Sequence, residues 1–427
     1  MARVAAPAGG PGRGPGVSQA LRADALGQRL DEALEARTRA NREFFSAQAE
    51  RLARVCHRMA ERFARGGRLV AFGGSPPARS DVRHVAVEFV HPVIVGKRAL
   101  PAIGLAPEGG GLEGQVDLVA EPDDIAIAFG CEDGDPQTER ALALAGRRGC
   151  LTMAFAPAGA EWEFDPGEPD RFVRQELVET LYHVLWELVH VFFEHRGLLD
   201  GREGGPVQDT GASSFLYPFL AAGEHDLDAV VDDVRRSVVM KADDIEALRG
   251  QTLSDNRGVL LAAAAGLRGD LDRGGRLLAL GNGGSATDAM DAVADFRAPL
   301  DAGHPPRRAL DLTEDPAIIT AIANDIGAEA IFARQVIAHG RRGDALLALS
   351  TSGSSPNVIA ALAEGRSRGL RTIAMVGYDG GRITAERLAD HIVVTRSEHI
   401  PRIQEAQASA YHLLRELVER AEPGASA

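Results

Sequence analysis

Apolar runs too short for helices alternate along the chain with longer amphipathic stretches, and the whole alternation occurs twice. LVAF (Leu69–Phe72) and LLAL (Leu277–Leu280) are both entered through Gly-Gly-Arg. Each follows an amphipathic helical stretch, about 41–65 in the first case and about 228–272 in the second. A loop and a helix come next, then ALPAIGLAPE (99–108) against RRALDLTED (307–315). Strand, loop, helix and strand follow in 123–155 and again in 343–376. Long helices over 170–195 and 401–421 close the two halves, and the second is preceded by a short strand, His391–Thr395. Short buried strands separated by helices call for parallel sheets covered on both faces. The predicted fold is therefore α/β: two doubly wound α/β/α sandwiches in tandem, each ending in a long helix.

Punctuation residues set the expected boundaries. The Gly-, Pro- and Ala-rich start reads as a disordered tail (1–20), followed by an N-terminal domain (21–197), a linker (198–225) and a C-terminal domain (226–427). Within the linker, SSFLYPFL (213–220) is too apolar to dangle and is expected to dock on a domain. No stretch approaches 18 consecutive apolar residues, so no membrane span is expected, and the start lacks the apolar core of a signal peptide. A net charge of −14 repels nucleic acid. Three cysteines without metal-ligand spacing, Cys56, Cys131 and Cys150, fit reduced buried thiols and a cytoplasmic protein.

Candidate chemistry sits between strands and helices. Gly281, Asn282, Gly283, Gly284 and Ser285 link a buried strand to a helix start, where backbone N–H groups and the helix dipole can gather an anion. The loop lacks the Lys of a Walker motif and the spacing of a dinucleotide fingerprint, so no nucleotide cofactor is implied. Alone it is equally a plain glycine turn. A second loop, Ser350, Thr351, Ser352, Ser354 and Ser355 before Pro356, puts hydroxyls at another helix N-terminus. Two such nests without Arg or Lys suit a phosphate monoester on a sugar.

At these residues the chain resembles a known family. GNGGSATDAM, TAIANDIG, GDALLALSTSGSSPNVI and RIQEAQ are similar to the sugar isomerase (SIS) domain, in its phosphoheptose isomerase branch. The resemblance is strong over about 228–421 and weak over about 41–195, which implies a tandem of two SIS domains, the first degenerate. It implies phosphate and sugar contacts from Asn282, Gly283, Gly284, Ser285, Ser350, Thr351, Ser352 and Ser355, and a substrate contact from Asp315. It also implies aldose–ketose isomerisation of sedoheptulose 7-phosphate through an enediol, with a Glu and a His as base and acid.

The family's metal set is a His and a Glu at i and i+4 after the glycine loop, and a Gln and a His at i and i+8 on the last helix. In the second half the first pair falls on Asp291 and Asp295, while Gln404 and His412 match the second. In the first half His84, Glu88, Gln175 and His183 all match. Its loops, however, are stripped: GGSPPARSD carries two prolines and GCEDGDP carries Glu132, Asp133 and Asp135 where a phosphate would lie.

The losses are complementary, so a composite site is expected. Phosphate would be gripped by the C-terminal loops, with Glu88 as base, His183 as acid, and His84, Glu88, Gln175 and His183 as ligands of a zinc ion. Two alternatives stay open. Catalysis could lie within the C-terminal half through Asp295 and His412, with Gln404 contacting substrate, or the chain could be a non-catalytic sugar-phosphate sensor or partner-docking protein. His84 with Glu88 reads equally as a surface i, i+4 pair, and Asp291 with Asp295 as a solvated acidic face. His57, His190, His195 and His339 read as structural, and Trp186 and Phe192 as core or dimer interface. An intrachain pseudo-dimer that associates further into a homo-oligomer is expected.

Overall fold

The computed structural model describes residues 15–92, 97–107, 110–131, 134–194 and 227–420. The linker with SSFLYPFL, the acidic-loop residues Glu132 and Asp133, His195 and the first residues of the expected tail lie outside them. The first half runs α1 (Pro15–Ala64), β1 (Leu69–Phe72), α2 (Pro76–Val90), β2 (Ala102–Leu105), α3 (Leu112–Val119), β3 (Ile125–Ala128), α4 (Pro136–Arg147), β4 (Leu151–Ala154), β5 (Trp162–Glu163) and α5 (Arg171–Glu194). The second opens with α6 (Leu227–Asp255) and α7 (Arg257–Asp272), then β6 (Leu277–Leu280), α8 (Gly284–Arg297), β7 (Ala309–Asp311), α9 (Pro316–Asp325) and α10 (Ile331–His339). It ends with β8 (Ala345–Ser350), α11 (Pro356–Ser367), β9 (Arg371–Gly377), α12 (Gly381–Ala385), β10 (His391–Thr395) and α13 (Ile400–Arg420).

Both sheets are parallel and five-stranded, ordered β2-β1-β3-β4-β5 and, read in the same sense, β7-β6-β8-β9-β10. The central strands β1, β3, β6 and β8 are buried at every position, as sheets covered on both faces require. The matching order makes the halves structural copies. The two-residue strand β5 is the counterpart of β10, which the short EWEF segment gave no pattern to reveal.

Two expectations about the helices are corrected. The helix expected over about 41–65 starts at Pro15, inside the segment read as a tail, and at 50 residues it spans about 75 Å, more than one domain can cover. Its early residue Leu30 is buried in the second half's core beside Leu253, Leu260 and Leu267. In return, Val230, Val231, Val234 and Val238 of α6 are buried in the first half's core with Phe45 and Trp186. The packing units therefore exchange helices, and the expected boundaries at 21–197 and 226–427 do not delimit independent cores. The single stretch expected over 228–272 is broken at Asn256, whose side-chain amide donates to the carbonyls of Thr252 (2.7 Å) and Val394 (2.9 Å).

Helices α5 and α13 pack together, as do α2 and α8, so matched elements face each other around a pseudo-twofold axis. Buried charge crosses this junction. Lys241 and Arg402 of the second half pair with Glu187 of the first, the latter at 3.4 Å, and His412 pairs with Glu176 at 3.0 Å. Trp186 and Phe192 are core, and His190 lies 2.8 Å from the Trp186 carbonyl and 3.1 Å from that of Arg98, a structural setting. All three cysteines are buried and none is in a disulfide. No described helix is long and apolar enough to cross a membrane.

Candidate active site

The two C-terminal loops meet. Gly283, with φ 58°, caps the start of α8, and Pro356 occupies the first turn of α11, so each loop leads into a helix N-terminus. Asn282 and Asn357 exchange side-chain hydrogen bonds of 3.0 and 2.9 Å that join the two. Ser350 and Ser352 hydroxyls each lie 3.4 Å from that of Ser355, and the Gly353 amide donates to Ser350 at 3.2 Å. Ser355 stands at the N-cap of α11 yet makes no side-chain cap bond, so its hydroxyl is directed at its loop neighbours. Asp315 is set apart: it is exposed and caps α9, accepting from the amides of Ala317 (2.8 Å) and Ile318 (3.1 Å). It borders a separate hollow of about 370 Å³ with Gln335 and His339.

In the first half the equivalent nest is filled from within. Asp135 caps α4, accepting from the Gln137 amide and the Thr138 hydroxyl, and stands so close to Gly74 that a Cβ there would collide with its carboxylate. A carboxylate in that position repels phosphate.

Two polar clusters lie at the junction, related by the pseudo-twofold. The first gathers around His84 of α2. Its Nε2 lies 3.3 Å from Nε2 of His183 and 3.1 Å from the side-chain nitrogen of Gln404, and its Nδ1 lies 2.9 Å from the Tyr182 hydroxyl. Nδ1 of His183 meets Glu405 at 3.0 Å. Glu88 Oε1 lies 4.0 Å from His84, and Asp288 Oδ1 lies 3.7 Å from it. The cluster touches the glycine loop before α8: a Cβ on Gly284 would collide with the Gln404 amide and stand 2.8 Å from His84 Nε2. Only glycine lets the loop come this near.

The second cluster surrounds Asp291, which accepts from Gln175 (2.8 Å), Tyr411 (2.8 Å) and His412 (3.2 Å). Asp295 lies 3.4 Å from the same nitrogen of His412, and His412 Nδ1 meets Glu176 at 3.0 Å. A cavity of about 470 Å³ opens beside it, lined by Ser75, Arg79, Phe129, Phe155, Arg171, Gln175 and Asp295 among others.

The pairing corrects one expectation. Gln175 does not join His84, Glu88 and His183; it points across the axis to Asp291, and Gln404 of the second half takes its place. The reason is geometric, since residues eight apart on one helix lie about 12 Å apart along its axis, beyond the reach of one small site. Neither pair is on the surface: His84, Glu88, Asp291 and Asp295 are all at most 4% exposed, so the readings as a surface pair and a solvated face fail.

Burial sets the charges. It drives His84 well below the ordinary imidazole range, assisted by the neighbouring His183, and raises Glu88 to about 7. Asp295 is likewise pushed up to about 7 by burial and by Asp291. Burial alone would lower His412, but its bonds to Asp291 and Glu176 and the charge of Asp295 lift it to about 10, so it is an imidazolium locked among carboxylates. Its partner Glu176, opposed by burial, is held down to about 2 by Arg37 and His412.

Several cluster residues escaped sequence reasoning: Glu179, Tyr182, Glu176, Glu405, Tyr411 and Asp288. For four of them a signal existed: RQELVETLYH and IQEAQASAYH share Gln-Glu and Tyr-His at one spacing, and aligning the two last helices marks Glu176, Tyr182, Glu405 and Tyr411 without any structure.

Comparison with known proteins bears on these loops. The SIS domain family model matches residues 242–377. The phosphoheptose isomerase of Nitratidesulfovibrio vulgaris is 37% identical over 190 residues, covering 44% of this chain and 90% of that protein. The phosphoheptose isomerase of Citrifermentans bemidjiense is 44% identical over 147 residues, 34% of this chain and 76% of that protein. Over nearly the whole chain the fold is similar to that of tagatose-6-phosphate ketose/aldose isomerase from Escherichia coli, with a TM-score of 0.53 at 13% identity, covering 92% of each chain. A similar likeness holds for the C-terminal domain of glucosamine-fructose-6-phosphate aminotransferase from Francisella tularensis, with a TM-score of 0.54 at 10% identity, covering 90% of this chain and 95% of that one. The fold likeness spans both halves, and the sequence likeness leads to one conclusion: the chain belongs to the SIS-domain family and is a relative of the phosphoheptose isomerases.

Proposed function

We propose that the chain is a sugar-phosphate aldose–ketose isomerase with one composite site, and that its substrate is sedoheptulose 7-phosphate, converted to D-glycero-D-manno-heptose 7-phosphate. The observation that carries this reading is the approach of Gly284, in the phosphate loop of the second half, to His84 of the first and Gln404 of the second. The phosphate is held by loop amides and by Ser285, Ser350, Thr351, Ser352 and Ser355, with Asn282 bridging the loops. The isomerases named above support the reaction class.

Glu88, raised to about 7, is part carboxylate at neutral pH and suits a base acting beside a carbonyl. It takes the proton from C1 of the open-chain ketose. The C–H electrons form the C1=C2 double bond, and the C2 oxygen takes a proton from His183, giving the enediol. In the second half-reaction the O1 proton passes to His183, the C1=O bond forms, and Glu88 returns its proton to C2. Charge-assisted contact with Glu405 orients His183, and Tyr182 orients His84. A zinc ion, implied by the family resemblance, fits the facing Nε2 atoms of His84 and His183; held there it would take the place of the His183 proton and polarise the carbonyl instead. Asp295 and His412 are read as outside this reaction, because the imidazolium and its carboxylates neutralise one another.

Incubation of the full chain with sedoheptulose 7-phosphate tests the reading. Turnover that falls at least a hundredfold in Glu88→Gln supports it; absence of turnover, or turnover indifferent to that change, removes it.

A further inference from the structure

Glu179 is a buried acid with no part in the reaction as written. It lies on α5, one helical turn before His183, and is 3% exposed. Its Oε1 has no hydrogen-bond partner among the described residues. Leaving a carboxyl oxygen unpaired in a protein interior is destabilising, so its position calls for a reason. The fold does not supply one. The two last helices superpose Gln175 on Gln404 and His183 on His412, and this register sets Glu179 opposite Ala408. The same helix, in the same packing, is thus built with a methyl group at this position in the other half.

The surroundings supply the reason. A ligand atom from each of Glu179, His84 and His183 falls within 4.8 Å of the others. The Nε2 atoms of the two histidines face each other at 3.3 Å. Two nitrogens bound about 2.0–2.1 Å from a tetrahedral zinc ion lie ~3.3–3.4 Å apart, so this is the edge of such a site. Both rings are held from behind, His84 by Tyr182 and His183 by Glu405, in the manner of outer-shell groups that aim metal-binding imidazoles. The Gln404 amide lies 3.1 Å from His84 Nε2, and rotating its end group by a half-turn would present the oxygen instead.

We propose that Glu179 is the anionic ligand of a divalent-cation site formed with His84 and His183, completed by the Gln404 amide oxygen. This assigns the carboxylate ligand to a residue outside the His, Glu, Gln, His pattern, and leaves Glu88 free for proton transfer. Ion binding by this set does not depend on the isomerase reading, although it deepens it.

The test uses the full chain stripped of metal and titrated with Co²⁺, followed by the visible bands of tetrahedral cobalt, with zinc per chain measured by mass spectrometry. The expected result is one ion bound, with affinity at least about 10- to 100-fold weaker in both Glu179→Gln and Glu179→Ala. Glu88→Gln and Asp295→Asn should bind as the parent does. Ala408 indicates that the alanine variant folds, and its melting curve without metal checks this. Parent-like affinity in a folded Glu179 variant, loss of the ion in Glu88→Gln, or no ion bound by the parent would overturn the assignment. Because no substrate is present, a chain that binds cobalt through Glu179 but turns over no heptose phosphate would sink the isomerase reading and leave this one standing.

Discussion

The two clusters on either side of the pseudo-twofold axis have the same architecture and opposite electrostatics. Around His84 two imidazoles face each other, His84 kept neutral by burial, beside Glu88, which burial raises to about 7, and this set adjoins the glycine loop before α8. Around Asp291 an imidazolium is neutralised by three carboxylates, and the adjoining nest is filled by Asp135. The difference teaches that a site is lost by satisfying its groups as much as by deleting them. His412, Gln175 and Tyr411 all survive, yet each is spent on Asp291. The first cluster keeps unsatisfied oxygens on three acids, Glu88, Glu179 and Asp288, against one, on Asp295, in the second, and those are the atoms available to a ligand.

The comparison breaks most visibly in turnover. Glu88→Gln and His183→Ala should each lower kcat by about 10²–10⁴, as loss of a general acid or base does, whereas Asp295→Asn should stay within about twofold, measured with sedoheptulose 7-phosphate. Equal losses in both clusters would mean that both work. In stability the order reverses. His412→Ala strips the cation from three buried carboxylates and should cost about 3–5 kcal/mol in denaturant unfolding, against a smaller loss for Glu88→Gln.

Acidity offers a third, gentler handle. Glu176 is held at about 2 against an ordinary 4.5, so its stabilisation is present above 4.5 and is lost as pH falls toward 2. His412 is raised from 6.5 to about 10, so its contribution is complete below 6.5 and is lost as pH rises through 10. Melting temperature should therefore fall on both sides of a plateau between about pH 4.5 and 6.5, and the alkaline fall should shrink in His412→Ala. Activity should instead rise with pH up to about 7 as Glu88 ionises. A rise centred near 4.5 would show that Glu88 is not the base.

The smallest effect concerns the loop. Gly284→Ala should leave folding within about 1–3 kcal/mol of the parent while it pushes Gln404 away from His84, which a rise in KM and a fall in kcat would register together.

Much of this was legible beforehand. The four-residue apolar runs and glycine loops announced two parallel sheets, because buried strands and strand-to-helix turns leave local patterns. The pairing of Gln404 with His84 left none. Spacing along a helix fixes which side chains share a face, not which helix that face meets, and the partner here comes from 320 residues away. Glu179 was hidden for a related reason, since a lone acid on an apolar helix has no periodic signature. The start of α1 was missed because Gly and Pro dominate what precedes it, while the contacts that order it lie on the other half.

The doubled architecture has a consequence for how such a protein can change. In a dimer of identical chains one codon writes both sites, so an aspartate in place of a histidine would spoil each of them together. Joining the copies end to end unties that knot. Position 291 could drift to a carboxylate while position 84 stayed histidine, and the helices that the halves exchange keep the altered copy indispensable as scaffold after its own chemistry has gone.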